Sequence, residues 1–252
     1  MKEINIIDFG LMSRQISALF YLLGYEIGVY NKSKLNIYEF EKQIKLLQRK
    51  IDFSNFNAGK INIYQHIEDL KNSLTIESLN EDLNLKKEII QILRDNNIVF
   101  SNSSSLGMDD LNCDFIYFFN PIYIKLIELC GSNLERFTPL KDLKKLGFHI
   151  IRSKGNRGAL ANLLLFNEIS SFFKIIEKYD YNFKECQTVY DLLYEKRNLL
   201  NIIDAIGIEL CDKICKNLKE DDENFYHPKI FKKALKKRIL DRKNKTKISD
   251  IL

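Results

Sequence analysis

Apolar residues along this chain fall into short runs and spaced stripes that alternate between strand and helix periods. Glu3–Asp8 is an apolar, β-branched run, followed by a tight turn and a helical stripe from about Met12 to Leu23. Gly24-Tyr25 ends that helix, and Glu26–Tyr30 makes a second strand. Within Leu35–Ile51, the residues Ile37, Phe40, Ile44, Leu47 and Ile51 recur at helical spacing, which predicts an amphipathic helix. Ile61–Tyr64 and Ser73–Glu77 predict two further short strands. The next helix has Asn80 or Asp82 as its N-cap, buries Leu85, Ile89, Ile92 and Leu93, and closes at Asp95-Asn96-Asn97. Two more apolar runs, Ile98–Phe100 and one ending at Phe118-Phe119, are each followed by polar residues. Thr138–Leu146 then reads as a helix and Gly147–Ser153 as the last strand. Beyond Gly155–Gly158 only helical patterns follow: around Asn162–Tyr179, across Thr188–Asn217 with a break near Lys196–Asn201, and over Pro228–Ile239.

Strands alternating with helices, then helices alone, predict an α/β domain followed by an all-α domain. The opening strand–turn–helix–strand is that of a Rossmann-type dinucleotide-binding unit. The expected division is therefore 1–155, with a helical excursion at 35–57, and 156–252. No run approaches the ~20 apolar residues of a membrane span, and the first residues enter a strand directly, so neither a membrane partner nor a secretory leader is expected. The five cysteines lack metal-ligand spacing, and no metal site is expected. They read as reduced thiols of a cytoplasmic protein. Cys211 and Cys215, four apart, share a helix face as packing residues. The net charge of +5 is uneven: from Lys229 onward ten Lys and Arg face two Asp, a surplus of eight. That segment reads as a basic, solvated face on a terminal helix, or as an electrostatic partner for an acidic ligand. No nucleic-acid motif accompanies it, and no nucleic-acid partner is expected.

The turn after the first strand carries the first candidate chemistry. A dinucleotide fingerprint reads G-x-G-x-x-G; here the frame is Asp8-Phe9-Gly10-Leu11-Met12-Ser13, so only the middle glycine stands. Gly10 and Met12 are placed against the cofactor, and Ser13 is small enough to serve. Asp8 brings a carboxylate to the rim of a site built for two phosphates, so weak cofactor binding is expected. After the second strand, where an acid usually holds the ribose hydroxyls of NAD, stand Asn31-Lys32-Ser33-Lys34. Losing the acid and gaining lysines removes repulsion toward a 2′-phosphate, so NADP is expected beside NAD.

The centre of the chain carries a more specific signature: Ser101-Asn102-Ser103-Ser104-Ser105-Leu106, then Phe118-Phe119-Asn120-Pro121, then Lys125-Leu126-Ile127-Glu128. In this order the three segments resemble the 3-hydroxyacyl-CoA dehydrogenase family, whose members read SNTSSL, HFFNP and a KLVE-type segment. The segment Glu77-Ser78-Leu79-Asn80-Glu81 to Lys86 resembles that family's IEA…E-x-L-x-x-K, and Gly158–Asn162 resembles its P-G-F-x-x-N-R. The resemblance implies a catalytic His paired with a Glu. Glu128 is present, whereas Tyr117 stands where the His is expected. It further implies that Glu81, Lys86, Ser101 and Asn102 lie at the cofactor. Ser104, Asn120 and Asn162 lie at the substrate, and Ser104 and Asn162 also serve catalysis. It implies burial of the helical domain in a homodimer, to which Leu163–Leu165 and Phe172-Phe173 contribute, unless they are intrachain core. Besides a structural or regulatory protein that keeps the fold and has lost its ligands, two functions remain open. One is a divergent NAD(P)-dependent oxidoreductase on a 3-hydroxyacyl or 3-oxoacyl thioester, or a related 3-hydroxy acid, with Tyr117 as proton donor in place of an imidazole. The other is a catalytically silent homologue that binds an acyl thioester or pairs with an intact paralogue.

Overall fold

The computed structural model describes residues 2–32, 36–155, 157–195, 198–239 and 246–251. They divide into two compact units, Met1–Ala159 and Leu160–Leu252.

The first unit is an eight-stranded sheet in the order β3-β2-β1-β4-β5-β6-β7-β8. Its strands are β1 (Glu3–Ile7), β2 (Glu26–Tyr30), β3 (Lys60–Tyr64), β4 (Leu74–Glu77), β5 (Ile98–Ser101), β6 (Asp114–Phe118), β7 (Leu126–Cys130) and β8 (His149–Arg152). β1 to β6 are parallel in the order expected of a Rossmann-type sheet, which reverses direction between β1 and β4. Parallel strands covered on both faces need apolar residues at successive positions. EINII and LTIE meet that need: Ile4, Ile6, Ile7, Thr75 and Ile76 are all fully buried. β7 runs antiparallel to β6, because the link over residues 119–125 is too short to cross over and re-enter in parallel.

Helices clothe the two faces. α1 (Leu11–Leu22), α2 (Ile37–Lys50) and α5 (Leu140–Lys145) accompany a large core that includes Ile6, Ile16, Phe20, Val29, Phe40, Phe100, Phe118 and Phe137. Edge-on ring pairs, Phe20 with Phe118 at 6.1 Å and Phe100 with Phe137 at 5.3 Å, fix its centre. On other sheet positions α3 (Leu83–Arg94) packs Ile89 and Leu93 with Ile7 and Tyr30, and α4 (Met108–Leu111) packs Leu111 with Phe115 and Cys130. Asp82 caps α3, its carboxylate accepting from the Asn84 and Leu85 amides.

Some expectations are corrected. Ile92 is 46% exposed and Ile90 is buried in its place, so the inward stripe of α3 is 86–89–90–93. Ile37 opens α2 and is exposed, since the first turn of that helix overhangs the core.

The second unit consists of α6 (Leu160–Tyr179), α7 (Phe183–Leu193), α8 (Leu199–Ile206), α9 (Ile208–Asp221), α10 (Lys229–Lys236) and a short 3-10 turn over Ile248–Ile251. The pattern over Thr188–Asn217 therefore belongs to three helices. Gly207, at φ +97°, separates the last two, and the break near 196 falls on Lys196 and Arg197, outside the described residues. Leu165, Phe172 and Phe173 are core with Phe166, Ile203, Cys211, Cys215 and Phe231, whereas Leu164 is exposed. Burial pushes the Cys211 thiol well above its ordinary value and raises that of Cys113 to about 12, which leaves both as packing groups. α10 buries Ile230, Phe231 and Ala234 and turns Lys232, Lys233 and Lys236 to water, the basic solvated face expected of it. Among the described residues no helix is long and apolar enough to cross a membrane.

One polar cluster joins three elements of the sheet unit. Glu77, at the end of β4, and Lys86, on α3, are both fully buried and lie 2.7 Å apart. The carboxylate also accepts from Ser101 Oγ at 2.6 Å and the Leu79 amide at 2.5 Å, and the ammonium donates to the Leu79 carbonyl at 2.9 Å. A buried charge stripped of its partner typically costs about 3–5 kcal/mol. Lys86→Met is therefore expected to lower unfolding stability by roughly that amount in urea titrations. The double change Glu77→Gln with Lys86→Met should recover most of the loss. A single variant as stable as the parent would show that the pair does not hold the joint.

Candidate functional site

The sheet reverses between β1 and β4, so the crevice outside their carboxyl ends is where such folds hold ligands. Its floor is the Asp8–Gly10 turn. Asp8 takes the left-handed conformation, φ +82°, that a glycine would occupy freely. Its amide donates to the Tyr30 carbonyl at 2.8 Å. Its Oδ2 accepts from the Gly10 amide at 3.0 Å and lies 3.5 Å from Ser13 Oγ. Gly10 is the N-cap of α1, and a Cβ there would meet Asp8 Oδ2 at 2.9 Å. The chain's own carboxylate thus rests on the positive end of α1, where an anion would otherwise be held. Met12 is half-buried beside it, and buried Ser13 also reaches the Ser78 carbonyl at 3.4 Å, across the switch point. At the end of β2, Asn31 is half-buried and Lys32 exposed; Ser33 and Lys34 lie outside the described residues.

The loops after β4 and β5 engage one another. Glu81 accepts from Ser103 Oγ at 2.6 Å, from the Ser104 amide at 2.7 Å and from Ser104 Oγ at 3.0 Å. Asn102 is held at both ends of its amide, by the Phe118 amide at 2.9 Å and Ser78 Oγ at 3.2 Å. Ser101 and Lys86 face inward onto Glu77. Of the predicted cofactor residues, Lys86, Ser101 and Asn102 thus have strong partners inside the chain, while Gly10, Met12, Asn31 and Lys32 line the outer ends of β1 and β2.

Tyr117 and Glu128 are direct cross-strand partners: β6 and β7 pair Phe115 with Cys130 and Tyr117 with Glu128. Partners so placed have Cβ atoms about 4.5–5.5 Å apart on one face of the sheet. Both are nearly buried. The face is opposite that of Ile116, Phe118, Ile127 and Leu129, which enter the large core. Asn120 follows at the end of β6, half-buried. Asn162 belongs to the second unit, buried in the first turn of α6.

One residue of this region escapes a motif-based reading. Gln15 sits on the inward side of α1 among Ile16, Leu19 and Phe20, and a polar residue in phase with a helix's core stripe is the mark that could have found it. Among the described residues no group of three or more His, Cys, Asp or Glu could hold a metal ion.

Of the solved structures that resemble the chain, M. tuberculosis FadB2 matches with a TM-score of 0.84 at 18% identity, covering 98% of both chains. The (S)-3-hydroxybutyryl-CoA dehydrogenase PaaH1 of Ralstonia eutropha matches with a TM-score of 0.80 at 18% identity, again over 98% of both. A 3-hydroxybutyryl-CoA dehydrogenase of Escherichia coli matches with a TM-score of 0.74 at 16% identity, over 98% of this chain and 59% of that one. At such identities these likenesses show the fold. No curated protein sequence matches. The family model described as 3-hydroxyacyl-CoA dehydrogenase, NAD binding domain, matches residues 3–144, more than half of the chain. With its Rossmann-type sheet, its reversal at β1 and β4 and its SNSSSL, FFNP and KLIE segments in order, the chain belongs to the 3-hydroxyacyl-CoA dehydrogenase family.

Proposed function

We propose that this protein is a divergent NAD(P)-dependent oxidoreductase that interconverts a 3-oxoacyl and a 3-hydroxyacyl thioester, or a related 3-hydroxy acid. The observation that carries the proposal is the pairing of Tyr117 with Glu128 across β6 and β7, with the amide of the next residue, Phe118, donating to Asn102 of the loop that carries Ser104. When bound, the nicotinamide supplies or accepts the hydride. The residues fit a pyrophosphate in one respect that can be checked. Asp8 Oδ2 stands in for a phosphate oxygen 3.0 Å from the Gly10 amide, so the turn accommodates an anionic oxygen once Asp8 swings aside. Gly10 and the first turn of α1 would hold the phosphates. Asn31 and Lys32 would face the ribose, where Lys32 favours a 2′-phosphate and so NADP. Competition from Asp8 makes the binding weak.

In the reductive direction the Tyr117 hydroxyl gives its proton to the 3-oxygen as that oxygen gains negative charge, and Glu128 orients the tyrosine from the neighbouring strand. The Ser104 hydroxyl, which donates to Glu81 in the unliganded chain, would turn its proton from that carboxylate to the same oxygen. One observation favours a second reading, a catalytically silent homologue that binds an acyl thioester or an intact paralogue. The contact of Asp8 with Gly10 gives the phosphate seat an internal occupant.

The exposed surface of the second unit supports self-association. Between α6 and α7 lies a cavity of about 670 Å³ walled by Phe172, Ile176, Val189, Tyr190 and Leu193. Beside it Leu192 is 80% exposed. A hairpin this apolar on its outside is the composition of an interface, and a second copy offers the same patch in return.

Three outcomes are expected. Asp8→Gly should tighten NADH and NADPH binding by roughly 5–10-fold in calorimetry, since a carboxylate at a helix end contributes on the order of 1 kcal/mol. Micromolar binding by the parent with no gain in the variant would overturn the competition. Tyr117→Phe should lower acetoacetyl-CoA reduction by about 10²–10⁴ at unchanged KM. The silent reading instead predicts no turnover by the parent and new turnover in Tyr117→His, whose imidazole titrates near neutral pH beside Glu128. Finally, light scattering should report a dimer for the parent and a monomer for Leu192→Lys with Leu193→Glu; a monomeric parent would remove the association.

A further inference from the structure

The segment after β6 is held from a distant part of the chain. Gln15, in the second turn of α1, is 5% exposed, and both ends of its amide are engaged. Its Oε1 accepts from the Ile122 amide at 3.1 Å, and its Nε2 donates to Asn120 Oδ1 at 3.4 Å. These contacts settle which way two side-chain amides point. A backbone N–H only donates, so the oxygen of Gln15 must face Ile122. Its NH₂ group therefore faces Asn120, where only an acceptor can answer it. The one acceptor on that side chain is Oδ1. The NH₂ group of half-buried Asn120 thus lies on the side away from Gln15, and no described residue accepts a hydrogen bond from it. Asn102, by contrast, has partners at both ends of its amide.

We propose that Gln15 is a positioning residue that locks the Asn120 amide with its NH₂ outward, making the turn after β6 a donor subsite for a carbonyl oxygen of the bound ligand. The inference rests on the dehydrogenase reading for the identity of that ligand. The carbonyl belongs either to the acyl thioester or to the carboxamide of the dinucleotide. Neither Gln15 nor Asn120 carries charge, so the subsite selects a hydrogen-bond acceptor and leaves anion recognition to the Gly10 turn. Gln15 also ties α1 to the segment that follows Tyr117 on the chain, so a change in the amide pair reaches the candidate proton donor through only a few residues.

Gln15→Glu separates orientation from folding. The carboxylate keeps an oxygen for the Ile122 amide but replaces the donor that faced Asn120, so Asn120 is expected to turn its NH₂ inward. In the unliganded protein, hydrogen exchange of the Asn120 side-chain amide should slow in Gln15→Glu relative to the parent. Calorimetry with acetoacetyl-CoA and with NADH, run separately, should show a loss of roughly tenfold for whichever probe uses the subsite, the size of one lost hydrogen bond. Asn120→Asp should lose as much, and the double variant no more than either single one. Gln15→Met, which breaks both contacts, should lower stability as well as affinity. Unchanged exchange would overturn the proposal, as would full affinity for both probes in Gln15→Glu, or losses that add in the double variant. If the parent binds neither probe, the dehydrogenase reading falls, while the exchange comparison still decides whether Gln15 orients Asn120.

Discussion

A carboxylate and an ammonium with no access to water, Glu77 and Lys86, are the constraint around which the sheet unit is arranged. Each would be prohibitive to bury alone, so each must find its hydrogen bonds within the chain. Glu77 is the last residue of β4, Lys86 lies on α3 and Ser101 ends β5, so satisfying the pair fixes where two strands stop and where the next helix starts. The loops that line the crevice begin at those points. Ser103 and Ser104 follow Ser101 after Asn102, and Glu81, their partner, lies between the two charged residues. The crevice thus inherits its shape from an interior cluster of charged and polar groups.

Several polar groups at the crevice itself follow the same rule of internal satisfaction. Asp8 rests on the Gly10 amide, Asn102 bridges Ser78 and Phe118, and Glu81 gathers two serines. A ligand entering here exchanges partners with groups that already have them, which makes affinity a difference between two similar sets of hydrogen bonds. Asp8 is the extreme case, because its left-handed backbone holds the carboxylate over the helix end.

Much of the sheet was legible because parallel strands must be apolar on both faces. EINII, EIGVY and LTIE read as strands from composition alone, and the glycine at position 10 marked the turn. The position of Ile92 was not legible, since apolar residues at 89, 90, 92 and 93 fit two stripes of one helix and only the packed sheet selects between them. The helical unit was blurred for a similar reason. α8 and α9 share one continuous amphipathic pattern, and the divider, Gly207, reads in sequence like a tolerated helical glycine. Motifs pointed to Ser104, Asn120 and Glu128 as candidates, yet the partners of polar side chains were hidden. Gln15 and Asn120 stand 105 residues apart, and no local spacing encodes such a contact.

The antiparallel step between β6 and β7 has a consequence for how this protein can change over generations. Tyr117 and Glu128 occupy one face of the pair, while Ile116, Phe118, Ile127 and Leu129 occupy the other and fill the core. A strand repeats every two residues, so an insertion or deletion of one residue between them that shifted the pairing would exchange the two faces at once. Leucine and isoleucine would meet the crevice, and a carboxylate would enter the aromatic core. Substitution at position 117 disturbs none of this. Length between the two strands is thus far more tightly constrained than the identity of the side chain at position 117.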